Sequence, residues 1–460
     1  MQLVNIRNPL AIGIVASVLH IVFFFSLWVD AAPIQLADEL LFANLAFSTG
    51  GYSYGNFTLT LLNAIGGFAG VDPVVFGKLV NLFIALLGIS TLVWAFSGTK
   101  SNELPWLIWV VLPSSFIFIG MFLPEMIYYG FVFISLSFLV KSDLKFGPYL
   151  FISALAAGLA LSSKPHALGI VLTVAVVMLL SSSKSGLWIR LRTASFFLAV
   201  AFSVRLIIGA GLDGWSGLNL FAAYLPGSGV SSPSLQIESG QTGISRGQIE
   251  VTDALFASFP NYLAIALVFY LPVAIYALLL IIQRRAQDEK AAVLVAISIV
   301  PFAMLVAAWL FGGLVSSTGD NHSDRLLLRY SEFLLPLSWL SFALLRRLNP
   351  LSGKYTGFVI SMMPILGLAL FLFGSLNGVE IFVSDSTMLL ALAAEPFVFG
   401  AVALSLSAWL YLYDNFKSSF SQTILSATPA ALFVGASIFT VVDIGSYYKN
   451  EGIRYQEISN

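Results

Sequence analysis

Long apolar segments recur along almost the whole chain and constrain its fold more than any other feature. Hydrophobic residues make up 58% of the 460 residues and charged residues only 10%, whereas about 25% of the residues in a water-soluble domain are charged. That much apolar surface cannot be buried inside one water-facing shell, so the predicted solvent is a lipid bilayer. The sequence therefore predicts an all-α polytopic membrane protein.

Thirteen segments are predicted to span the membrane. Several are shorter than the roughly 20 residues that a simple span needs, but short spans occur where the bilayer thins or where helices are buried in a bundle. The predicted spans are Pro9–Val29, Pro73–Phe96, Pro105–Phe122, Pro124–Val140, Pro148–Leu161, Ala167–Leu180, Thr193–Ala210, Tyr262–Ile282, Ala291–Val315, Phe333–Leu345, Gly357–Gly374, Met388–Tyr411 and Ile424–Val442.

The positions of lysine and arginine predict the orientation. If Arg7 and the N-terminus lie in the cytoplasm, most of the 22 basic residues fall in short cytoplasmic loops such as Gln283–Lys290, as the positive-inside rule requires. We therefore expect an integral membrane protein whose N-terminus lies in the cytoplasm. The net charge of −1 excludes bulk attraction to nucleic acid, and the lack of cysteine excludes disulfides and thiolate chemistry.

One transmembrane domain is expected over residues 1–460. Its parts are an N-terminal module (1–210) with a long outer loop (30–72), a flexible outer loop (211–260) and the C-terminal helices (261–460). Apolar spacing in Ala37–Ser48, and again in Leu59–Phe68, predicts helices that lie in the membrane interface. The stretch Gly227–Gly247 is rich in Gly and Ser, which is typical of a flexible loop.

Acidic residues at the predicted outer face are the first candidates for chemistry. Asp38 and Glu39 follow the first span, and Glu125 follows Pro124 in a tight outer turn with apolar flanks. Asp38 could act as a general base, while a carboxylate in the surroundings of Glu125 needs a cation, a metal or a substrate hydroxyl. The alternatives are that the first two solvate an interfacial helix, and that Glu125 is an acid favoured by a helix dipole.

Basic residues at the same face are candidates for binding a phosphate at headgroup depth. Lys164 and His166 lie in the turn between the fifth and sixth spans, Arg205 lies near the end of the seventh, and Arg329–Tyr330 precedes the tenth. Arginine makes bidentate contacts with phosphate oxygens. The alternative is that these side chains snorkel or form ordinary ion pairs.

Tyr52 and Tyr54 lie on a Gly-rich loop after the acidic pair and could form a sugar platform, or simply part of an interfacial aromatic belt. The same loop fits the G-x-S-x-G pattern, but no strand–turn–helix context for a serine nucleophile is present. His20 and Glu395 fall inside predicted spans and are thin support for a proton relay.

The arrangement of these residues resembles that of the C-type (GT-C) membrane glycosyltransferases. The shared features are an acidic motif in the first outer loop (Asp38–Glu39), a second acid in the next outer turn (Glu125), a lysine turn after a Gly/Ala-rich helix (Gly158–Pro165) and an Arg–Tyr pair before a late helix (Arg329–Tyr330). The resemblance is best over the first seven helices, and spans eleven to thirteen carry no diagnostic motif. No large C-terminal soluble domain of the oligosaccharyltransferase type is seen, which favours a single-sugar donor.

The resemblance implies transfer of one hexosyl or pentosyl group from a polyprenyl-phosphate donor to a hydroxyl of a lipid, polysaccharide or protein, with inversion, in cell-envelope glycan or glycolipid biosynthesis. The protein would lie in a bacterial inner or plasma membrane, with its active site at the outer face. Asp38 would be the catalytic base. The donor phosphate would be bound by Lys164, His166, Arg205, Arg329 and Tyr330. The acceptor, or a divalent cation such as Mg or Mn, would be bound by Glu39, Glu125, Tyr52 and Tyr54.

Three other functions remain open from the sequence. A transporter or flippase of lipid-linked sugars would place polar groups near the bilayer midplane, whereas most candidates here cluster at the outer face. An O-antigen polymerase or ligase would need a large outer loop with Arg and His, and Leu212–Pro260 holds only Arg246. A structural membrane protein is the third.

Overall fold

The computed structural model describes residues 9–28, 70, 73–111, 125–180, 186–218, 250–283, 288–316, 328, 331–349, 354–375, 396–416, 418–436 and 438. Within these ranges the secondary structure consists of helices and turns, without strands. The helices are α1 (Pro9–Phe23), α2 (Pro73–Ala95), α3 (Leu104–Val111), α4 (Glu125–Ser142), α5 (Pro148–Ser163), α6 (Ala167–Leu180), α7 (Leu187–Asp213), α8 (Val251–Ile282), α9 (Glu289–Ser316), α10 (Leu335–Leu348), α11 (Lys354–Leu370), α12 (Pro396–Leu412) and α13 (419–436).

Each predicted span overlaps one of these helices. Eight of the helices in the described part are long and apolar enough to cross a membrane: α1, α2, α4, α7, α8, α9, α11 and α12. The α5 and α6 helices are shorter but also apolar. The predicted all-α polytopic membrane fold is therefore confirmed. The two predicted interfacial helices and the Gly/Ser-rich stretch lie outside the described residues.

The helices on either side of the predicted outer loop at 211–260 extend into it. The α7 helix continues to Asp213, and α8 begins at Val251 rather than at Tyr262. Polar residues hide this start in the sequence, but Asp253 lies in the first turn, where the helix dipole favours an acid. Pro260 lies inside the helix, which a membrane bundle tolerates because its neighbours stabilise the freed backbone groups.

The α2 and α4 helices run parallel and approach closely at Gly130. A Cβ atom added to Gly130 would lie 2.2 Å from Cγ2 of Ile84 and 2.9 Å from the carbonyl oxygen of the same residue. One turn further along α2, a Cβ atom added to Gly88 would lie 3.3 Å from Cα of Gly130. Small residues let membrane helices pack backbone to backbone, so this contact fixes the register of the two helices.

Gly130→Ala is therefore expected to destabilise the protein by about 1–3 kcal/mol, the usual cost of overpacking. The added methyl group must displace the Ile84 backbone, which cannot rotate away as a long side chain can. Thermal unfolding in detergent would measure the effect, with Gly98→Ala as the control, since a Cβ atom at Gly98 has open space within 4 Å. Equal melting temperatures for the two variants would contradict the close contact.

One end of the bundle, called the basic end below, is defined by Lys100, Lys141, Arg346 and Arg347. Two ion pairs connect α3, α10 and α12 there. Nη1 of Arg347 lies 2.9 Å from both carboxylate oxygens of Glu103, which is fully buried. Nη2 of Arg346 lies 2.9 Å from Oδ2 of Asp414. By the positive-inside rule, the basic end is the predicted cytoplasmic side.

An aromatic cluster lies directly under these ion pairs. The ring of Trp106 stacks on that of Trp339 at 5.4 Å, and Trp409 packs edge-on against both. The guanidinium of Arg346 lies 5.2 Å from the ring of Trp409 and donates to the carbonyl oxygen of Leu410 at 2.7 Å. The guanidinium of Arg346 can be buried in this cluster because backbone carbonyls and ring faces interact with the N–H groups that do not contact Asp414.

Candidate functional site

The candidate site lies at the end of the bundle opposite the basic end and is built around one buried ion pair. Nζ of Lys164 lies 3.1 Å from Oε1 of Glu125, and the two side chains are 7% and 0% exposed. A buried carboxylate was predicted to require a cation, and the structure supplies one from the neighbouring helix. Two residues that sequence analysis assigned to different ligands therefore contact each other.

Local sequence explains why both charges stand at helix ends. Glu125 is the first residue of α4, where the exposed N–H groups and the helix dipole favour a negative charge. Lys164 follows the last residue of α5 and has an extended backbone (φ −146°, ψ 129°). The residue before a proline avoids the helical region, so Pro165 ends α5 at this position and turns Lys164 toward α4.

Aromatic rings connect the Glu125 end of α4 to the turn before α10. The ring of Tyr129 stacks on Phe333 with centroids 3.8 Å apart and an interplanar angle of 15°, and Tyr128 packs edge-on against the same ring at 5.3 Å. In the same turn, Glu332 is 1% exposed and Ser331 is fully buried. The stack thus fixes a second acidic, buried segment beside the Glu125 helix.

A hydrogen bond from α8 holds that turn in place. The hydroxyl groups of Tyr270 and Ser331 lie 3.1 Å apart, and Ser331 also donates to the carbonyl oxygen of Leu328. Tyr270 ends the π-helical segment Ala266–Tyr270 within α8. A π segment shifts the side chains that follow it relative to a regular helix and often occurs at functional sites.

Sequence reasoning missed Lys78 and Asn81 as site residues. Asn81 precedes Ile84 by three residues, so it lies on the side of α2 that packs against α4. Lys78 precedes Ile84 by six residues and is turned about 120° from it around the helix axis, to the side of that contact. Since the two helices are parallel, both residues reach the depth of the Glu125 end of α4. Lys78 is 6% exposed and Asn81 is 1% exposed. In the sequence, the one feature that could have indicated them is that two polar residues stand three positions apart within an apolar span.

Arg205 is buried, and one of its contacts is structural. It is 1% exposed, and its Nη1 donates to the carbonyl oxygen of Gly217 at 2.8 Å. Gly209 and Gly217 pack backbone to backbone, because a Cβ atom on Gly217 would lie 2.0 Å from the carbonyl oxygen of Gly209. Arg205 therefore fastens the turn after α7, in addition to any role in binding a phosphate.

Arg205 and the ion pair lie on adjoining helices. A Cβ atom at Gly158 would lie 2.6 Å from the carbonyl oxygen of Ala201 and 2.7 Å from Cβ of Val204, so α5 and α7 are in close contact there. Arg205 follows Val204 directly, while Lys164 lies six residues after Gly158. The backbone of Arg205 therefore lies about a helical turn or more further from the candidate-site end of the bundle than the backbone of Lys164 does.

His166 is half-buried in the turn between α5 and α6, where its carbonyl oxygen accepts from the N–H of Gly169 at 3.1 Å. His20 is fully buried in α1, and its Nδ1 donates to the carbonyl oxygen of Ala16 at 2.8 Å. The second member of the relay that was considered, Glu395, lies outside the described residues. So do the other predicted site residues: Asp38, Glu39, Tyr52, Tyr54, Arg329 and Tyr330.

A divalent cation at Glu39 and Glu125 was one of two alternatives from the sequence, the other being that these residues bind the acceptor. Within the described ranges, three or more acidic or histidine side chains do not converge as a metal site would require. Of these two acids, Glu125 lies in the described residues, and its carboxylate contacts the ammonium group of Lys164. A cation at Glu125 would therefore have to share the carboxylate with Lys164 or displace it.

No protein-family profile matches the chain, and no curated protein matches it. Two solved structures are similar to it: the crystal structures of ArnT from Cupriavidus metallidurans bound to undecaprenyl phosphate and in the apo state. Their sequence identities with this chain are 16% and 15%, and the TM-score is 0.47 for each. The alignments cover 95% and 96% of this chain and 77% of the ArnT chain.

Proposed function

We propose that the protein is a membrane glycosyltransferase that moves a single sugar from a polyprenyl-phosphate donor to an acceptor hydroxyl at the outer face of the membrane. The observation that carries the proposal is the buried contact between Glu125 and Lys164, 3.1 Å long. Both residues were singled out from the sequence as charges at the predicted outer face, and both also lie at positions that resemble GT-C motifs. Their meeting in the fold supports one common site rather than two unrelated surface charges.

A buried ion pair is a costly way to stabilise a protein, because apolar residues of the same volume often do as well. Buried charges within a membrane protein therefore point to function. Lys164 carries the positive charge that a phosphate-binding site requires, and Glu125 stabilises this charge in an apolar environment. When a phosphate arrives, the ammonium group can bind it while still facing the carboxylate.

The location of the pair favours an enzyme over a transporter of lipid-linked sugars. Glu125 opens α4 and Lys164 ends α5, so both lie at one end of the bundle. A transporter is expected to place its polar groups near the bilayer midplane, at broken helices. In the described part of the chain, the buried charged groups lie mostly toward the two ends, and the basic end is accounted for by its own ion pairs.

The proposed reaction is a single displacement with inversion. Asp38 takes the proton of the acceptor hydroxyl as general base, and the acceptor oxygen forms a bond to the anomeric carbon. The bond between that carbon and the phosphate oxygen breaks on the opposite face, through an oxocarbenium-like transition state. Polyprenyl phosphate leaves with the bonding electrons, and Lys164 stabilises its growing negative charge.

The remaining groups position the two substrates. Arg205, Lys78 and His166 are candidates for donor-phosphate contacts, together with Arg329 and Tyr330. Glu39, Tyr52 and Tyr54 would orient the acceptor, which can be a lipid, a polysaccharide or a protein. A Mg or Mn ion at Glu39 and Glu125 is a further part of this proposal.

Asp38→Asn is expected to reduce sugar transfer by about 100-fold or more, the usual contribution of a general base. The assay offers radiolabelled polyprenyl-phosphate sugars and a membrane lipid extract to the purified protein. Asp288→Asn is the matched control, since Asp288 is an exposed acid next to the start of α9, toward the basic end, and its removal should leave transfer unchanged.

Three outcomes would contradict parts of this proposal. Equal transfer by the native protein and Asp38→Asn would show that Asp38 is only a surface acid. A loss shared by Asp288→Asn would point to a general effect of charge on the protein. If the native protein transfers no sugar but moves the labelled lipid across liposome membranes, the transporter hypothesis replaces the enzyme.

A further inference from the structure

A groove between α1 and α2 opens on the lipid-facing surface near the basic end. Its volume is about 420 Å³, and its lining includes Gly13, Ser17, Ser90, Trp94 and Ser97. The two helices touch inside it, because a Cβ atom at Gly13 would lie 3.0 Å from Cγ2 of Val93. The groove is mostly apolar, but three serines line it, which is unusual for a surface that only faces hydrocarbon.

A tryptophan and a lysine stand where the groove meets the basic end. Trp94 is 39% exposed, and Nζ of Lys141 lies 4.8 Å from the centre of its ring. Phe138 and Tyr149 pack against the same ring at 5.4 and 5.8 Å and hold it in place. Tryptophan and tyrosine concentrate at the depth of the lipid headgroups, so this part of the groove lies at headgroup depth.

The charges around Lys141 favour an anion. Lys141 is half-buried at the end of α4, with Lys290 near it at the start of α9 and Asp143 near it in the turn after α4. An anionic group placed beside Lys141 would stabilise its half-buried charge, and basic pockets between helices on the cytoplasmic side bind anionic headgroups.

We propose that this groove binds an anionic phospholipid of the inner leaflet, with one acyl chain along α1 and α2 and the headgroup phosphate beside Lys141. The hydroxyl group of Ser97, which is exposed near the end of α2, can donate to a phosphate or ester oxygen. The occupant is a lipid because an apolar channel and a cation meet at headgroup depth. This site is independent of the proposed glycosyltransferase activity, which concerns the opposite end of the bundle.

The test measures lipid binding to the full-length protein in detergent by native mass spectrometry and by thermal stabilisation. Phosphatidylglycerol should bind and raise the melting temperature more than phosphatidylcholine does. Lys141→Gln should weaken phosphatidylglycerol binding about fivefold, the equivalent of the roughly 1 kcal/mol that a basic residue contributes near an anionic surface. Lys141→Arg should restore the binding, which separates a loss of charge from a loss of fold.

Two further variants test the groove itself. Ser90 is exposed on α2, so Ser90→Trp should fill the groove and abolish the preference for phosphatidylglycerol without disturbing the core. Phe83→Trp, at an exposed position on the same helix outside the groove, and Lys145→Gln, at an exposed lysine of the same turn, are the matched controls. Both controls should bind phosphatidylglycerol as the native protein does.

Several results would overturn this proposal. Equal binding of the two lipids would show that Lys141 does not recognise an anionic headgroup. Unchanged phosphatidylglycerol binding by Ser90→Trp would place the lipid outside the groove. Binding that appears only after residues 2–8 are deleted would make the N-terminal segment of this chain the occupant. Sugar transfer is not a readout in any of these experiments, so their failure leaves the proposed enzyme activity untouched.

Discussion

Glu125→Gln is expected to lower the free energy of unfolding by about 3–5 kcal/mol, the usual cost of leaving one member of a buried ion pair uncompensated. Lys164 is 7% exposed, so water cannot replace the lost carboxylate. If the proposed function holds, the same variant should lose most sugar transfer, because the ammonium group proposed to bind the phosphate is no longer held in position. Unfolding in bicelles and the transfer assay measure the two effects on the same preparation.

The double variant Glu125→Gln/Lys164→Met separates stability from activity. Removing both charges together should recover most of the lost stability, since neutral residues of similar size replace a buried pair at little cost. Transfer should stay as low as in the single variant, because Lys164 is the group that we propose stabilises the leaving phosphate. Recovery of transfer along with stability would show that the pair is only structural.

Glu289→Gln is the matched control for the loss of a carboxylate at a helix start. Glu289 lies in the first turn of α9 and is only half-buried. Its removal should cost no more than the roughly 0.3–1 kcal/mol that a helix dipole contributes. A loss as large as that of Glu125→Gln would mean that the dipole, and not the contact with Lys164, explains the effect.

Arg347→Gln should also destabilise the protein by about 3–5 kcal/mol at pH 8, because Glu103 then keeps a buried charge without its guanidinium partner. Burial already raises the pKa of Glu103 above its usual range, against the opposing effects of Arg347 and of the backbone N–H of Lys100. Without Arg347 the pKa of Glu103 should rise further. The carboxyl group would then become protonated at a higher pH than in the native protein.

The pH dependence follows from that direction. A carboxyl group whose pKa is raised by folding stabilises the folded state below that pKa, and the stability is lost as the pH rises through it. The loss of unfolding free energy in Arg347→Gln, relative to the native protein, should therefore be largest at pH 8 and shrink as the pH falls toward the ordinary pKa of glutamate. Melting temperatures between pH 5 and pH 8, values chosen at about the range where proteins are most stable, measure this slope.

The second substitution Glu103→Gln should remove the slope in the Arg347→Gln background. Lys145→Gln is the control for loss of a basic residue at the same end, since Lys145 is exposed and exposed charges contribute about 0–1 kcal/mol. A deficit of Arg347→Gln that does not change with pH would contradict the assignment to Glu103 and would indicate lost packing instead.

Much of the fold could be predicted because the apolar segments are long and clearly bounded. The spans at Pro73–Phe96 and Ala167–Leu180 agree with helices α2 and α6 to within a residue or two. The start of α8 could not be predicted, because Asp253 and Pro260 break the apolar pattern that marks a span. Only the packing of Ala254, Ser258 and Asn261 against other helices shows that the segment is helical and buried.

The candidate site could be predicted only one residue at a time. The apolar flanks of Glu125 and the turn at Lys164 were visible in the sequence, but their contact was not, because it depends on how α4 and α5 pack. Arg346 illustrates the same limit at the basic end. The sequence suggests an anchor in a cytoplasmic loop, yet the side chain is 2% exposed and packs among tryptophans. Burial is a property of the assembled bundle.

The position of the Glu125–Lys164 pair has a consequence for biogenesis. The two residues mark the distal ends of α4 and α5, which are consecutive helices joined by the short turn after Ser142. Each charge alone would add about 2.5–3.5 kcal/mol to insertion at the centre of a bilayer. In the proposed orientation, with these helix ends at the outer face, a hairpin that closes this contact before it crosses can carry both groups through the hydrocarbon as one neutral dipole. The insertion machinery would then translocate the Glu125–Lys164 ion pair after it has formed.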